Sequence, residues 1–175
     1  MVKWEAFKYA GCEYDLSHLH PARILYTQPA KDNKAEKIYV VDICYGLHCF
    51  TDVEPSSGSN KALRYSDARE TRSFSFQRYE TSKVLPAIIQ ELNKKACMHT
   101  GHGNFFIVEI LSESGVKLEY EIYFDVKKSS AEIAHLIVNS AFVADGRRKR
   151  KQSKKISFYI ILNNKLTNKP INPPK

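Results

Sequence analysis

Residues 117–126, KLEYEIYFDV, alternate without a break between large apolar and mostly polar side chains. Leu118, Tyr120, Ile122, Phe124 and Val126 fall on one face, and Glu119, Glu121, Tyr123 and Asp125 on the other, which is the period of a half-buried strand. A chain that contains this segment has to build a sheet with one face covered. Its neighbours read the same way. NFFIVEIL (104–111) ends at the polar turn SESG, HLIVNSAFV (135–143) follows, and ISFYIILNN (156–164) comes after a basic stretch at 146–155. Connections this short predict an antiparallel meander of four strands, because parallel crossovers need roughly a dozen residues or more.

The principal helix is expected just upstream. Thr81 or Ser82 can cap it, and Val84, Leu85, Ile88, Ile89 and Leu92 recur at helical spacing. Pro86 falls in the first turn, where its missing N–H costs little, and Lys94 and Lys95 lie where the helix dipole favours cations. Earlier still, KWEAFKY (3–9) reads as a strand stopped by Gly11, IYVVDICYG (38–46) as a strand stopped by Gly46, and RSFSF (72–76) as a short strand. LHCFT (47–51) reads as a continuation or a bend. Pro21 interrupts the segment 12–26 and biases His20 toward extended backbone. Residues 28–37 and 54–61 are loops. The expectation is a single α+β domain over 1–165: an antiparallel sheet of about five to seven strands on one principal helix, with 166–175 as an extended, proline-rich tail.

No run approaches the roughly 20 apolar residues of a membrane helix, and MVKWEAFKYAG lacks the apolar core of a secretory signal. The reading is cytoplasmic, with no membrane. Cys12, Cys44, Cys49 and Cys97 show no paired spacing, so no disulfide is expected, and Cys44 and Cys97 read as small core residues. The net charge of +8 is localised. Residues 146–175 hold ten Lys or Arg and no acid, leaving 17 basic against 19 acidic residues in 1–145.

That asymmetry points to a polyanion. Arg147, Arg148, Lys149, Arg150, Lys151, Lys154 and Lys155 put seven cations between two expected strands, where a hairpin tip would project them into solvent to meet phosphates. Arg72 and Arg78, with Arg64 and Arg69, stand among Tyr65, Phe74, Phe76 and Tyr79, a mixture that suits phosphate contact and base stacking. His99 and His102 lie in MHTGHGN, a glycine turn before a buried strand, where an imidazole can do acid–base work. Glu109 is a charge within the otherwise apolar FFIVEIL, and buried charges are paired or functional. His18, His20 and His48 show no zinc-binding spacing, and neither a P-loop nor any other nucleotide signature is present. No metal or other cofactor is expected.

Two resemblances follow from these segments. LHCFT, RYETSKVLPAIIQEL, CMHTGHGNFF and YEIYF resemble uncharacterised bacterial proteins of prophages and integrative elements, over most of 18–165. In architecture alone, a helix followed by an antiparallel meander is similar to the RelE-like and barnase-like ribonucleases. That second resemblance implies metal-free catalysis by a Glu or His base, a His acid and surrounding cations, and by residue type the set would be His99, His102, Arg72, Arg78 and Glu109. Two functions are therefore in view. One is a nucleic-acid-binding protein, RNA ahead of DNA, acting as a metal-independent endoribonuclease toxin with an antitoxin partner. The other is a non-catalytic module whose 146–155 loop holds DNA, RNA or an acidic protein.

Overall fold

The computed structural model describes residues 2–32, 35–54, 60–99, 104–111, 115–144 and 154–171, without the side chains of 99, 105, 109 and 154. Besides three short 3-10 turns, twelve strands and three α-helices are present among them. In order they are β1 (Phe7–Tyr9), β2 (Cys12–Tyr14), β3 (Ala22–Gln28), β4 (Lys37–His48), β5 (Thr51–Asp52), β6 (Arg64–Ser66), β7 (Thr71–Phe74), α1 (Phe76–Ser82), α2 (Leu85–Gln90), β8 (Ala96–His99), β9 (Asn104–Leu111), β10 (Lys117–Lys128), β11 (Ile133–Val143), β12 (Lys154–Ser157) and α3 (Phe158–Leu166). The main sheet has seven strands in the order β12-β8-β9-β10-β11-β4-β3. The fold is α+β and mostly sheet.

The meander stops one strand early. β9, β10 and β11 pair antiparallel as expected, but β11 then lies parallel to β4. The long chain between β4 and β11 provides the crossover that parallel pairing requires, so the sheet is mixed. The expected fourth strand is instead the short β12, which pairs with β8 at the far edge, followed by α3. β11 and β12, which flank the cationic stretch in sequence, are not paired as the two arms of a hairpin: β10, β9 and β8 stand between them, and residues 145–153 lie outside the described residues.

The expected single helix is two. Ser75 caps α1 by accepting from the Arg78 backbone N–H, and α2 restarts with Pro86 in its first turn. Proline has no N–H to continue the ladder of α1, and its ring clashes with the preceding turn. Residues 22–28, expected to be irregular after Pro21 and to enter a loop at Gln28, form β3 instead, which pairs with β4 immediately after Pro21.

One face of the main sheet is covered. On β4, Tyr39, Val41, Ile43, Tyr45 and Leu47 are buried, while Val40, Asp42, Cys44, Gly46 and His48 alternate onto the other face and are only partly covered. Leu85 and Ile89 of α2 and Phe158, Ile161 and Leu162 of α3 complete the core. The Tyr26 ring meets Phe158 edge-on at 5.0 Å, and its hydroxyl donates to the Ile89 carbonyl at 2.5 Å, which satisfies the one polar atom this buried ring carries.

A second aromatic core joins the smaller elements. The β1–β2 hairpin turns through Ala10 and Gly11, both at positive φ, as a tight hairpin turn demands. Phe7 stacks on Phe74 of the β5-β7-β6 sheet at 4.0 Å, and Trp4 meets Phe50 edge-on at 5.2 Å. Trp4 Nε1 donates to the Tyr45 carbonyl, which lies beyond the end of β3 and so has no strand partner there. His18 and His20 help to lock this layer: His18 Nε2 is 2.8 Å from Ser82 Oγ, and His20 Nε2 is 2.9 Å from the Trp4 carbonyl.

Candidate functional site: an ion-pair cluster at the end of β4

Among the described residues, five ionisable side chains gather where β4 leaves the main sheet and the chain enters β5. His48 ends β4, Asp52 ends β5, Arg72 lies on β7 with Glu70 just before it, and Arg78 lies on α1. The β5–β7 pairing, Asp52 opposite Ser73, brings the two arginine-bearing segments beside β4. His48 Nε2 is 2.6 Å from Glu70 Oε1. An ionised carboxylate only accepts, so Nε2 carries the proton in that bond.

Arg72 is buried and donates through Nε to Thr51 Oγ1 at 3.0 Å, with Nη1 3.5 Å from Glu70 Oε2. Arg78 Nε is 2.8 Å from Asp52 Oδ1, its Nη1 donates to the His48 carbonyl at 2.8 Å, and its guanidinium lies 5.2 Å from the centre of the Phe142 ring. Burial pulls the Arg78 guanidinium below its ordinary value, and Asp52 opposes that pull. Two guanidinium groups and two carboxylates thus balance one another. A buried charge is tolerated when paired in this way.

On β10, the Tyr123 hydroxyl donates to Glu121 Oε2 at 2.8 Å. Glu121 is buried and Glu119 exposed, so the acidic row of β10 is not uniformly wet.

The expected site residues are only partly brought together. Arg72 and Arg78 do share one cluster. The backbone of His99 lies on β8, four strand spacings from β4, about 19 Å along the sheet. His102 lies outside the described residues, as do the side chains of His99 and Glu109. Arg147, Arg148, Lys149, Arg150 and Lys151 are also outside them, and Lys154 is described in backbone only, while Lys155 is exposed. The histidine that does meet the arginines is His48, and its carboxylate is Glu70. Neither stood out in the sequence, because their contact spans twenty-two positions and follows from the β5–β7 pairing. Among the described residues, no three His, Cys, Asp or Glu side chains are grouped to hold a metal ion.

The cluster makes a pH prediction. The hydrogen bond from His48, with the charges of His48 and Arg72, holds the Glu70 carboxyl below its ordinary value. A carboxyl lowered by folding contributes stability above its unfolded pKa of about 4.3, and that contribution disappears as pH falls through the folded value. Urea unfolding of Glu70→Gln between pH 6 and pH 3 is expected to show a shallower acid loss than the parent, with the two curves converging at the acid end. Parallel curves would assign the acid loss to other carboxyls.

Together these features describe an α+β protein built on one mixed seven-stranded sheet, with a charge-balanced His–Glu–Arg cluster on its margin. The chain belongs to the YjaZ family, whose model matches residues 6–166. It is similar to Protein YjaZ of Escherichia coli (strain K12), with 30% identity over 176 residues covering 98% of this chain and 96% of that protein. No solved structure matches it. No helix among the described residues is long and apolar enough to cross a membrane.

Proposed function

We propose that this chain binds nucleic acid, RNA ahead of DNA, through the cations of 147–155, and that Arg72 and Arg78 hold the fold rather than a phosphate. One observation carries the reading: residues 146–175 contain ten basic and no acidic residues, while the rest of the chain is close to neutral. A polyanion gains most from a localised cationic segment, because each phosphate neutralised there releases counterions. The engagement of Arg72 with Thr51 and Glu70, and of Arg78 with Asp52 and the His48 carbonyl, supports the non-catalytic form of the reading. The pair most suited to phosphate contact in the body of the protein is already satisfied by carboxylates and carbonyl or hydroxyl oxygens. The mobile-element toxin with an antitoxin partner is the catalytic form of the same proposal.

A second reading is favoured by His48 and Glu70, a half-exposed imidazole oriented by a carboxylate. In it the chain is a metal-independent ribonuclease, with His48 rather than His99 or His102 as the base that deprotonates a ribose 2′-hydroxyl.

A gel of labelled single-stranded RNA and duplex DNA, run with the purified chain in EDTA, separates the two. Shifts that fade with added salt, without cleavage, are the expected result. RNA cleavage that survives EDTA and disappears in His48→Ala would move the assignment to the ribonuclease. The absence of any shift in low salt would remove nucleic acid and leave an acidic protein as the partner.

A further inference from the structure

The partly covered face of the main sheet carries a second chemical pair, remote in sequence and independent of the proposal above. Cys44 of β4 and His135 of β11 point to that face from adjacent parallel strands, and Cys44 Sγ lies 3.1 Å from His135 Nε2. Both residues are partly exposed. We infer that Cys44 and His135 form a thiol–imidazole pair through which Cys44 exchanges with small disulfides.

The other cysteines differ in kind. Cys49 and Cys97 are fully buried, and burial pushes both thiols up to about 12. Cys49 is further committed to the Val138 carbonyl. Cys12 is exposed on the β1–β2 hairpin, with no histidine hydrogen-bonded to it among the described residues. Cys44 combines access with a base.

Burial pushes the Cys44 thiol up, and His135 Nε2, at hydrogen-bond distance, is placed to take its proton. Charged groups surround the pair. Asp42 lies two residues before Cys44 on the same face and is in register with His135. Its carboxyl is held low first by the hydrogen bond from Arg23 and further by the nearby His135. Arg23 binds it at 2.6 and 2.9 Å. From β10, Lys127 stands opposite His135 and Asp125 opposite Ile137, which neighbours Cys44 in the ladder. Lys127 is exposed near the end of β10, whereas Asp42 is largely covered.

In the exchange, the Cys44 thiol gives its proton to His135 Nε2 and the thiolate attacks one sulfur of a disulfide R–S–S–R. The Cys44 S–S bond forms as the R–S–S–R bond breaks, and the departing thiolate takes the proton from His135 as R–SH. The disulfide is the oxidant, so no other reactant is needed.

The test is incubation of the native full chain with oxidised glutathione at pH 6.5, 7.5 and 9, with peptide mass spectrometry following each cysteine over time. At pH 6.5 Cys44 is expected to gain the glutathionyl adduct several-fold faster than Cys12, and His135→Gln is expected to slow Cys44 about tenfold while Cys12 keeps its rate. The pH–rate profile of the unmodified chain is a second readout that needs no variant: the ratio of the Cys44 rate to the Cys12 rate is expected to be greatest at pH 6.5 and to narrow towards pH 9. Cys44 slower than Cys12 at pH 6.5, or unchanged by His135→Gln, would overturn the inference.

Discussion

Gly46→Ala is expected to lower stability by about 2–3 kcal/mol, the upper part of the range for forcing atoms into a packed site. A Cβ at Gly46 would stand 2.9 Å from the Asn139 carbonyl oxygen and 3.2 Å from that of Val138. Both are backbone atoms of β11, so no side-chain rotation can relieve the contact. The crowding comes from a double irregularity. Asn139 is an extra residue relative to β10, while Gly46 and Leu47 together oppose Asn139 on the β4 side. This is also the parallel junction that joins the two halves of the sheet. In urea, the midpoint should fall with the slope unchanged, since the same surface is exposed on unfolding. A midpoint equal to that of the parent would mean that β4 and β11 separate more easily than their register implies.

The second large effect concerns 156–164, expected as one strand; from Phe158 onward it is observed as α3. In a strand, Phe158, Ile160 and Leu162 would share the buried face. In the helix, Phe158, Ile161 and Leu162 do, and Ile160 is 51% exposed. Ile161→Ala is therefore expected to cost about 2–5 kcal/mol, as for other buried Ile truncations, and Ile160→Ala to stay within about 0.5–1 kcal/mol, as surface changes do. Equal costs, or the reverse order, would restore the strand.

Why that segment misled is a matter of competing periods. FYIIL offers an apolar face at spacing two and another at spacings of three and four, and its aromatic and β-branched residues favour the first. Tertiary contacts decide for the second: the Tyr159 hydroxyl donates to the Thr27 carbonyl at 2.6 Å, and Lys37 Nζ donates to Asn163 Oδ1. The strict alternation of 117–126, by contrast, has no helical competitor, and β10 came out with Tyr120, Ile122, Phe124 and Val126 buried. The same alternation through β4 put Cys97-like burial out of reach for Cys44, which shares its face with Asp42 and His48. Reading IYVVDICYG for faces rather than for hydrophobicity would have placed it. The parallel β4–β11 pairing was illegible because no local pattern encodes a partner more than eighty residues away. Of the candidate site, the sequence supplied Arg72 and Arg78; their carboxylates, Glu70 and Asp52, emerge only once β5 and β7 are paired.

The nucleic-acid proposal turns on which cations meet the phosphates. The most direct measurement is fluorescence anisotropy of labelled single-stranded RNA across a salt series. It compares the parent with the combined Arg147→Gln, Arg148→Gln, Lys149→Gln, Arg150→Gln and Lys151→Gln variant, and with Arg72→Lys. If the segment carries the contact, the slope of log affinity against log salt falls by up to about 3–4 in the five-fold variant, at about 0.7 per phosphate contact on a single strand. Arg72→Lys should keep the parental slope. An unchanged slope and affinity in the five-fold variant would contradict the account.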